Sequence, residues 1–379
     1  METMTQNIDL NNLDKSTWET FKFEYIAEKI SKTVKPDEAK VDIYIGLEHI
    51  DANDIHIRRQ GVPADVKGGK LRCYPGDVIF GKRRAYQRKA AIVTFDGICS
   101  AHAFVFRANE EIIDPKLFIF FLHSDQFMHR MIDISVGGLS PTINWGDLKQ
   151  QEFLLPPKDQ QAKLAELLWA MDDAIERELE VLEKLNKDDL AYLKHYFYDD
   201  KTSERLKLKH IVSIKKGRKP SILLEEGKGL PYCTAKYLRT GEIESIVPQE
   251  AWDKAIKIDE SDILVLWDGS NAGEMLFGKE GFLASTMCKL NIEKDEFLKD
   301  FVFQFLRFKT NDIMRATVGS AIPHVDPGMI DNIEIPKLSI KHQESIINRF
   351  NSIKNNINLI KSKIQSSKTL QKSLINQVF

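Results

Sequence analysis

Hydrophobic residues follow two different periods along this chain. In residues 21–157 and 200–337, short β-branched and aromatic runs separated by glycine and proline predict strands and turns. The runs are DVIFG, AAIVTF and AFVFRA in the first segment, and DILVLW and CKLNI in the second. Each segment also has one stretch with helical spacing, LFIFFLHSDQFMHRM or FVFQFLRFKTNDIMRA. We therefore predict two α+β globular domains, preceded by a tail at 1–20.

A long helix is predicted after each domain, at 158–199 and at 338–379. Glycine and proline are absent from both tracts, and apolar residues recur in steps of four and three, which is a heptad pattern. The heptad positions are Leu164, Leu168, Met171, Ile175, Leu179 and Leu182 in the first tract, and Ile346, Phe350, Ile353, Ile357, Ile360 and Ile364 in the second. Each helix should be roughly 60 Å long at 1.5 Å per residue.

The two halves of the chain resemble each other as an internal repeat. GDVIF at 76–80 aligns with SDILV at 261–265, and GGLSPTI at 137–143 aligns with GSAIPHV at 319–325. Gln161 aligns with Gln343. Chance matches of apolar residues are the alternative explanation, but separated blocks that keep their order and spacing favour a pseudo-twofold repeat.

Charge predicts which helices pair. The tract at 158–199 has 6 Lys+Arg and 11 Asp+Glu, whereas 338–379 has 7 Lys+Arg and one acid, Glu344. Opposite charges favour a hetero-pair. We predict an antiparallel coiled coil within one chain, with pairing to a second copy as the alternative.

Composition limits the classes of function. The 379 residues include 54 Lys+Arg and 56 Asp+Glu, so a protein that binds phosphate by bulk charge is excluded. The four cysteines form no CxxC pair, which predicts neither a zinc site nor a disulfide framework. Neither an apolar run of membrane-spanning length nor a signal-like start is present, so we expect a cytoplasmic protein.

Four strings give the chain a family resemblance. They are YIGLEHI at 44–50, PGDVIFGK at 75–82, SAHAFVFR at 100–107 and LLPPKDQQAKLAELL at 154–168. With this domain order, they resemble specificity subunits of type I restriction-modification systems. The last string is similar to the family's Pro-Pro-Leu-x-Glu-Gln helix entry, with Lys158 and Gln160 as departures. KLSIKHQESIINRF at 337–350 is the weaker second match, with His342 where the family usually has Glu.

The resemblance implies a division of labour. Two target-recognition domains read two halves of a split double-stranded DNA site, and the helices dock two adenine methyltransferase subunits. Restriction or translocase subunits are further partners in systems that have them. The resemblance also implies that S-adenosylmethionine, ATP and Mg²⁺ bind to partner subunits, so this chain itself should hold no cofactor.

Catalytic motifs are matched only incompletely, so we predict no catalytic residue and no metal site. The pair Pro156-Pro157 lacks the flanking residues of a methyltransferase base-binding loop. GEMLFGKE at 273–280 has Glu280 where a phosphate-binding loop needs a hydroxyl. A loose nuclease-like pattern joins Asp37, Asp65 and Lys67, and such a degenerate pattern arises by chance.

Candidate DNA contacts differ between the two copies. The run KRRAYQRK offers Lys82, Arg83, Arg84, Tyr86, Arg88 and Lys89, although a solvated hairpin face is the alternative. The second copy offers basic residues in one loop and polar residues in another: Lys215, Lys216, Arg218, Lys219, Ser270 and Asn271. Such differences suit two domains that read different sequences.

Two further interpretations stay open. The glycine strings at 136–138 and 318–320 fit either DNA-facing loops or helix termination, and termination is favoured. A coiled-coil adaptor with two protein-binding heads and no nucleic acid is the alternative function. That adaptor would explain the heptads and the repeat but not the KRRAYQRK run.

Overall fold

The computed structural model describes residues 13–199, 203–319 and 322–379, which form two compact units. The first unit comprises residues up to 180 together with 361–379, and the second comprises 181–360. Each contains one α+β domain and part of each long helix. The predicted α+β class is confirmed. Residues 1–12 of the predicted tail lie outside the described residues.

The first unit is built from short strands and four helices that precede the long one. Its strands are β1 (Glu19–Lys22), β2 (Ala27–Ile30), β3 (Thr33–Val34), β4 (Tyr44–Ile45), β5 (Lys70–Cys73), β6 (Val78–Gly81), β7 (Ala90–Ile92), β8 (Gly97–Cys99), β9 (Ala103–Ala108) and β10 (Glu152–Leu155). The helices are α1 (Phe23–Ile26), α2 (Pro115–His123), α3 (Asp125–Asp133), α4 (Trp145–Leu148) and the long α5 (Lys158–Lys194).

Among the described residues, the second unit also has ten short strands, but three helices precede its long one. Its strands are β11 (Arg205–Lys207), β12 (Val212–Lys216), β13 (Leu230–Cys233), β14 (Ile246–Val247), β15 (Lys257–Ile258), β16 (Ile263–Leu266), β17 (Met275–Phe277), β18 (Gly281–Leu283), β19 (Met287–Ile292) and β20 (Glu334–Pro336). The helices are α6 (Ala235–Thr240), α7 (Lys299–Arg315), α8 (Pro327–Asp331) and the long α9 (Ile340–Val378).

Sheet topology confirms the internal repeat. An antiparallel sheet of order β2-β9-β6-β7 in the first unit corresponds to β12-β19-β16-β17 in the second, and the ribbon β1-β10 corresponds to β11-β20. The other two sheets share a parallel pair, β4-β8 or β13-β18, with β5 or β15 beside it. Their fourth strands lie on opposite edges, since β3 pairs with β5 whereas β14 pairs with β13.

Aromatic rings fill the core of each unit. In the first, the Phe23 ring lies 5.1 Å from Phe106 and 5.5 Å from Phe127, and Leu164 and Leu168 of α5 join the same cluster. The heptad positions of the long helices thus bury their apolar side chains partly against the domain that precedes them. Removing this surface from water is the dominant favourable term in folding.

The two long helices pair with each other, as their opposite charges predict, and they do so in antiparallel orientation. Within the first unit, the Glu178 carboxylate lies 3.1 Å from the Lys363 ammonium, and the Asp172 carboxylate accepts a hydrogen bond from Gln371 at 3.3 Å. From Asp172 to Glu178 along α5, the contacted residue on α9 changes from Gln371 to Lys363, so the two helices run in opposite directions. An acidic helix therefore contacts a basic one within a single chain.

One predicted helix is divided in the structure. The stretch LFIFFLHSDQFMHRM forms α2 and α3, which are separated at Ser124. The Ser124 hydroxyl donates to the Phe121 carbonyl at 2.7 Å and accepts from the Phe127 N–H at 3.2 Å, so it caps the start of α3. The spacing of the apolar residues alone does not indicate that the helix breaks at Ser124.

Two expectations from composition concern the cysteines and membrane-spanning segments. All four cysteines are buried, and burial raises the pKa of Cys233 and of Cys288 to about 12. Among the described helices, none has a segment long and apolar enough to cross a membrane.

Candidate nucleic-acid interface

The basic run of the first unit forms the connection between β6 and β7. A single 3₁₀ turn, Ala85–Gln87, is flanked by Arg84 at φ 53° and Arg88 at φ 52°, both left-handed. Left-handed backbone costs a non-glycine residue roughly 1–2 kcal/mol. The buried Ala85 side chain anchors the turn in the core. This bend divides the cations of the run into two groups.

The inner group, Arg88 and Lys89, is committed to contacts inside the unit. The Arg88 guanidinium donates to Asn53 and to the His123 carbonyl, each at 2.9 Å, and lies 2.8 Å from the Asp125 carboxylate. Lys89 donates to the Leu47 carbonyl at 2.6 Å. Both side chains therefore hold the hairpin in place.

The outer group consists of Lys82, Arg83, Arg84 and Tyr86. Arg83 and Arg84 are exposed, and Tyr86 is 53% exposed. Within the described residues, none of the three cations forms an ion pair with an acid. Partial burial, together with the charges of Lys29 and Arg83, lowers the pKa of Lys82. The group is thus a concentrated and uncompensated patch of positive charge.

A second loop closes against this patch. In the loop 136–142, Val136 and Thr142 exchange backbone hydrogen bonds of 3.0 and 2.9 Å. Thr142 also forms a β-bridge with Arg83. The Arg84 N–H donates to the Pro141 carbonyl at 2.8 Å, and the Arg84 side chain donates to the Ser140 hydroxyl at 3.2 Å. We call Lys82–Arg84 with the loop 136–142 the basic surface.

The glycine string in this loop does not terminate a helix. Helix α3 ends at Asp133 with Ile134 in the capping position, and Gly137 lies beyond it at φ 112°. The favoured interpretation of these strings as helix terminators is therefore wrong for the first copy. Gly137 instead allows the loop to turn back toward the hairpin, because that backbone conformation favours glycine.

The second unit builds the same arrangement with different residues. Asp268 forms a β-bridge with His324, and His324 forms another with Val318. In the first unit the same two bridges join Arg83 to Thr142 and Thr142 to Val136. The Asp268 carboxylate lies 2.9 Å from the Lys216 ammonium. Where the first unit presents an arginine, the second presents an acid in an ion pair.

The remaining candidates of the second unit surround this acid. Lys215 and Lys216 end β12, and Gly217 follows at a position where a Cβ atom would lie 2.0 Å from the Ala284 carbonyl oxygen. Beyond this close approach the loop carries Arg218 and Lys219, both exposed. Ser270 and Asn271 are exposed in the turn between β16 and β17. Lys216 is the candidate that the structure joins to this turn, through Asp268.

Sequence reasoning missed several residues of the two surfaces. Thr142, Asp268 and His324 form the β-bridges, and Ser140 accepts a hydrogen bond from Arg84. The pKa of His102 is lowered mainly by burial and then by the charges of Arg83 and Lys82. A signal for the loops existed in the proline that precedes Thr142 and His324 in both copies.

The incomplete catalytic motifs fall into ordinary structural positions. GEMLFGKE contains β17 and the turn after it, where Lys279 donates to the Tyr237 carbonyl at 3.3 Å and Glu280 lies 3.7 Å from Lys257. Asp37 and Lys67 line one open cleft. The described residues contain no group of three or more histidine, cysteine or acidic side chains placed to hold a metal ion.

Comparison with known sequences decides the family. The sequence model of the type I restriction modification DNA specificity domain, Methylase_S, matches residues 15–187 and again 200–367. The two matches follow the internal repeat and together cover most of the chain. This chain belongs to the type I restriction-modification DNA specificity family. The basic surface and its second-unit counterpart thus lie one in each specificity domain.

Individual relatives agree with this assignment. The type I restriction enzyme MjaVIII specificity subunit of Methanocaldococcus jannaschii is 37% identical over 167 residues, which are 43% of this chain and only 39% of that subunit. The putative MjaX specificity subunit of the same organism is 21% identical over 95% of this chain and 92% of its own length.

A solved structure shares the fold of this specificity-family chain. It comes from work on complex assembly and conformational transition of the type I R-M system, and it is 17% identical with a TM-score of 0.63. The alignment covers 95% of this chain and 97% of that one. At this identity the likeness concerns the fold, including the tandem α+β domains and the long helices.

Proposed function

We propose that this chain is the non-catalytic DNA-recognition subunit of a type I restriction-modification complex. Each unit reads one half of a split double-stranded target, and the helices dock two adenine methyltransferase subunits. One observation carries the proposal: the same hairpin and loop surface occurs in both units, with Arg83 at the position that Asp268 occupies in the other. A shared scaffold with exchanged polar residues suits two readers of different sequences.

The basic surface supplies the chemistry for contact with DNA. Arginine guanidinium groups fork to guanine edges or phosphates, and lysine contributes charge toward phosphates. Arg83 and Arg84 are exposed and free of acidic partners among the described residues, and Lys82 lies beside them. Tyr86 stands exposed on the same turn. These four residues are the DNA contacts that we propose for the first unit.

The second unit offers a different set of polar groups. Asn271 suits adenine, a serine hydroxyl such as that of Ser270 suits several bases, and an aspartate accepts a hydrogen bond from the cytosine amino group. Lys216 neutralises Asp268 in part, and Arg218 and Lys219 follow it toward the solvent. We propose that these loops read the second half-site, with Lys215 and its neighbours on the phosphates.

Docking of methyltransferase subunits on the long helices is carried over from the specificity family. Leu190 is 62% exposed on α5, and Leu359 and Leu370 are 67% and 55% exposed on α9. Single exposed apolar side chains are ordinary on protein surfaces, so these leucines do not by themselves mark a docking site. Methyl transfer, ATP use and any cleavage then belong to the partners, which hold S-adenosylmethionine, ATP and Mg²⁺, and which include restriction or translocase subunits where the system has them.

Selection from a random duplex library tests this function. The complete chain, assembled with its methyltransferase subunit, is used to enrich DNA over several rounds. We expect the pool to converge on two short motifs separated by a fixed number of unread base pairs. A pool that stays random, from a complex shown to assemble, contradicts DNA recognition and favours the two-headed protein adaptor.

A further inference from the structure

The tip of the loop 136–142 presents an apolar side chain to solvent. Leu139 is 97% exposed, more than any other large hydrophobic residue among those described. The loop beneath it is closed by the two backbone hydrogen bonds between Val136 and Thr142. An ordered loop therefore holds Leu139 outward. Exposure of this apolar side chain to water is unfavourable, and burial within the unit does not offset it.

Two cationic residues of the hairpin adjoin the loop that carries this tip. The loop is attached to the hairpin through Arg83 and Arg84, by the Thr142 bridge and by the hydrogen bonds to Pro141 and Ser140. Cations beside a projecting leucine fit a polyanion that has an apolar interior. The stacked bases of a duplex within their phosphate backbones are such a target.

The matching loop of the second unit also carries an exposed apolar residue, one position later in the repeat alignment, where Ile322 lies opposite Ser140. In the matching loop, Ile322 is 66% exposed and lies next to Pro323, whose carbonyl accepts the Gly269 N–H at 2.9 Å. His324 of the same loop bridges to Asp268. Both loops thus carry an exposed branched apolar side chain close to the residues that we propose to contact DNA.

We infer that Leu139 is a wedge that enters the base stack of the first half-site, with Ile322 as its counterpart in the second. This inference rests on the proposed DNA-reading function and adds a residue that makes no polar contact. Insertion of leucine or isoleucine between base pairs unstacks one step and kinks a duplex by roughly 20–90°. Leu139 would then select for steps that unstack easily, in addition to the bases read by the arginines.

The test uses the complete chain assembled with its methyltransferase subunit and duplexes that carry the selected target. 2-Aminopurine is placed in turn at each position of the first half-site, and end-to-end energy transfer reports bending. For the wild type we expect a fluorescence increase at one step together with a shortened end-to-end distance. Leu139→Ala should abolish both signals and raise the Kd about tenfold, equivalent to about 1.4 kcal/mol, with the salt dependence of binding unchanged because no phosphate contact is lost.

Val62→Ala is the matched control, since Val62 is an exposed apolar residue of another loop in the same unit, 47% exposed. Its complex should give the wild-type signals. Tight binding of the wild type without unstacking at any step overturns the wedge and leaves the proposed function intact. Loss of methyltransferase assembly in Leu139→Ala overturns it in favour of a protein contact. Failure of the wild-type complex to bind any selected DNA overturns the proposed function itself, and the wedge with it.

Discussion

Gln161 and Gln343 make the same three hydrogen bonds at the starts of the two long helices. The Gln161 side chain accepts from the Asp114 N–H at 2.6 Å and donates to the carbonyls of Ile112 and Pro156 at 2.9 and 2.8 Å. Gln343 accepts from the Leu298 N–H at 2.8 Å and donates to the carbonyls of Glu296 and Leu338 at 2.7 and 2.9 Å. Each amide joins a long helix to its domain.

Replacing Gln161 by leucine should therefore destabilise the first unit. The glutamine is 1% exposed, so the change leaves a buried N–H and two carbonyls without partners. We expect the free energy of unfolding to fall by about 2 to 4 kcal/mol, measured by urea denaturation of the full chain. Gln377→Leu, at an exposed position of α9, is the control. A loss below about 0.5 kcal/mol, which is the range of surface substitutions, would contradict this role.

His56 should make the stability of the first unit depend on pH. Its ring lies 2.7 Å from the Asp172 carboxylate, and the hydrogen bond to Asp172 raises the pKa of His56 above its ordinary value of 6.5. The stabilisation is therefore complete below about pH 6.5 and is lost as the pH rises through the folded-state pKa. We expect the urea midpoint to fall between pH 6.5 and pH 8.5.

His56→Asn should remove most of this fall, and His129→Asn, at an exposed position, should preserve it. The window begins at pH 6.5 because His123 acts in the opposite direction below that value, where burial lowers its pKa to about 4. An identical pH dependence in the wild type and His56→Asn would show that the His56–Asp172 pair contributes nothing.

Arg83 and Arg88 should respond differently to replacement by alanine. Arg83→Ala is expected to weaken DNA binding by about 1 to 3 kcal/mol; if its contact is to phosphate, the slope of log K against log salt falls by about 1. Arg88→Ala removes contacts to Asn53, His123 and Asp125, so it should lower the free energy of unfolding by about 2 kcal/mol and leave the salt slope unchanged. Equal effects of the two variants on DNA binding would contradict the division of the run.

Asp268→Asn should alter the second half-site alone. The amide retains the shape of the side chain but adds a donor, which changes the hydrogen bonding available to a base edge. We expect the target to become degenerate, or to change, at one position of the second half-site, while the first half-site stays the same. Asp295→Asn, at an exposed position of the same unit, is the control. A change in the first half-site would contradict independent reading by the two units.

The sequence predicts the scaffold better than the site. The repeat, the strand runs and the opposite charges of the long helices arise from patterns that extend over many residues. The division of KRRAYQRK does not, because it depends on two left-handed arginines and on acids and carbonyls that approach from distant segments. Asp268 was missed although the alignment of 76–80 with 261–265, extended by three residues, places it opposite Arg83. What the sequence does not show is its bridge to His324 and its ion pair with Lys216, which join segments far apart in the chain.

A map of adenine methylation is the most direct test of target recognition by this chain. The methyltransferase partner is expressed in cells with and without this chain, and genomic methylation is read by single-molecule sequencing. We expect methylated adenines on both strands of one split motif, present only when this chain is expressed. An assembled complex with an active methyltransferase and no new methylated motif would contradict it.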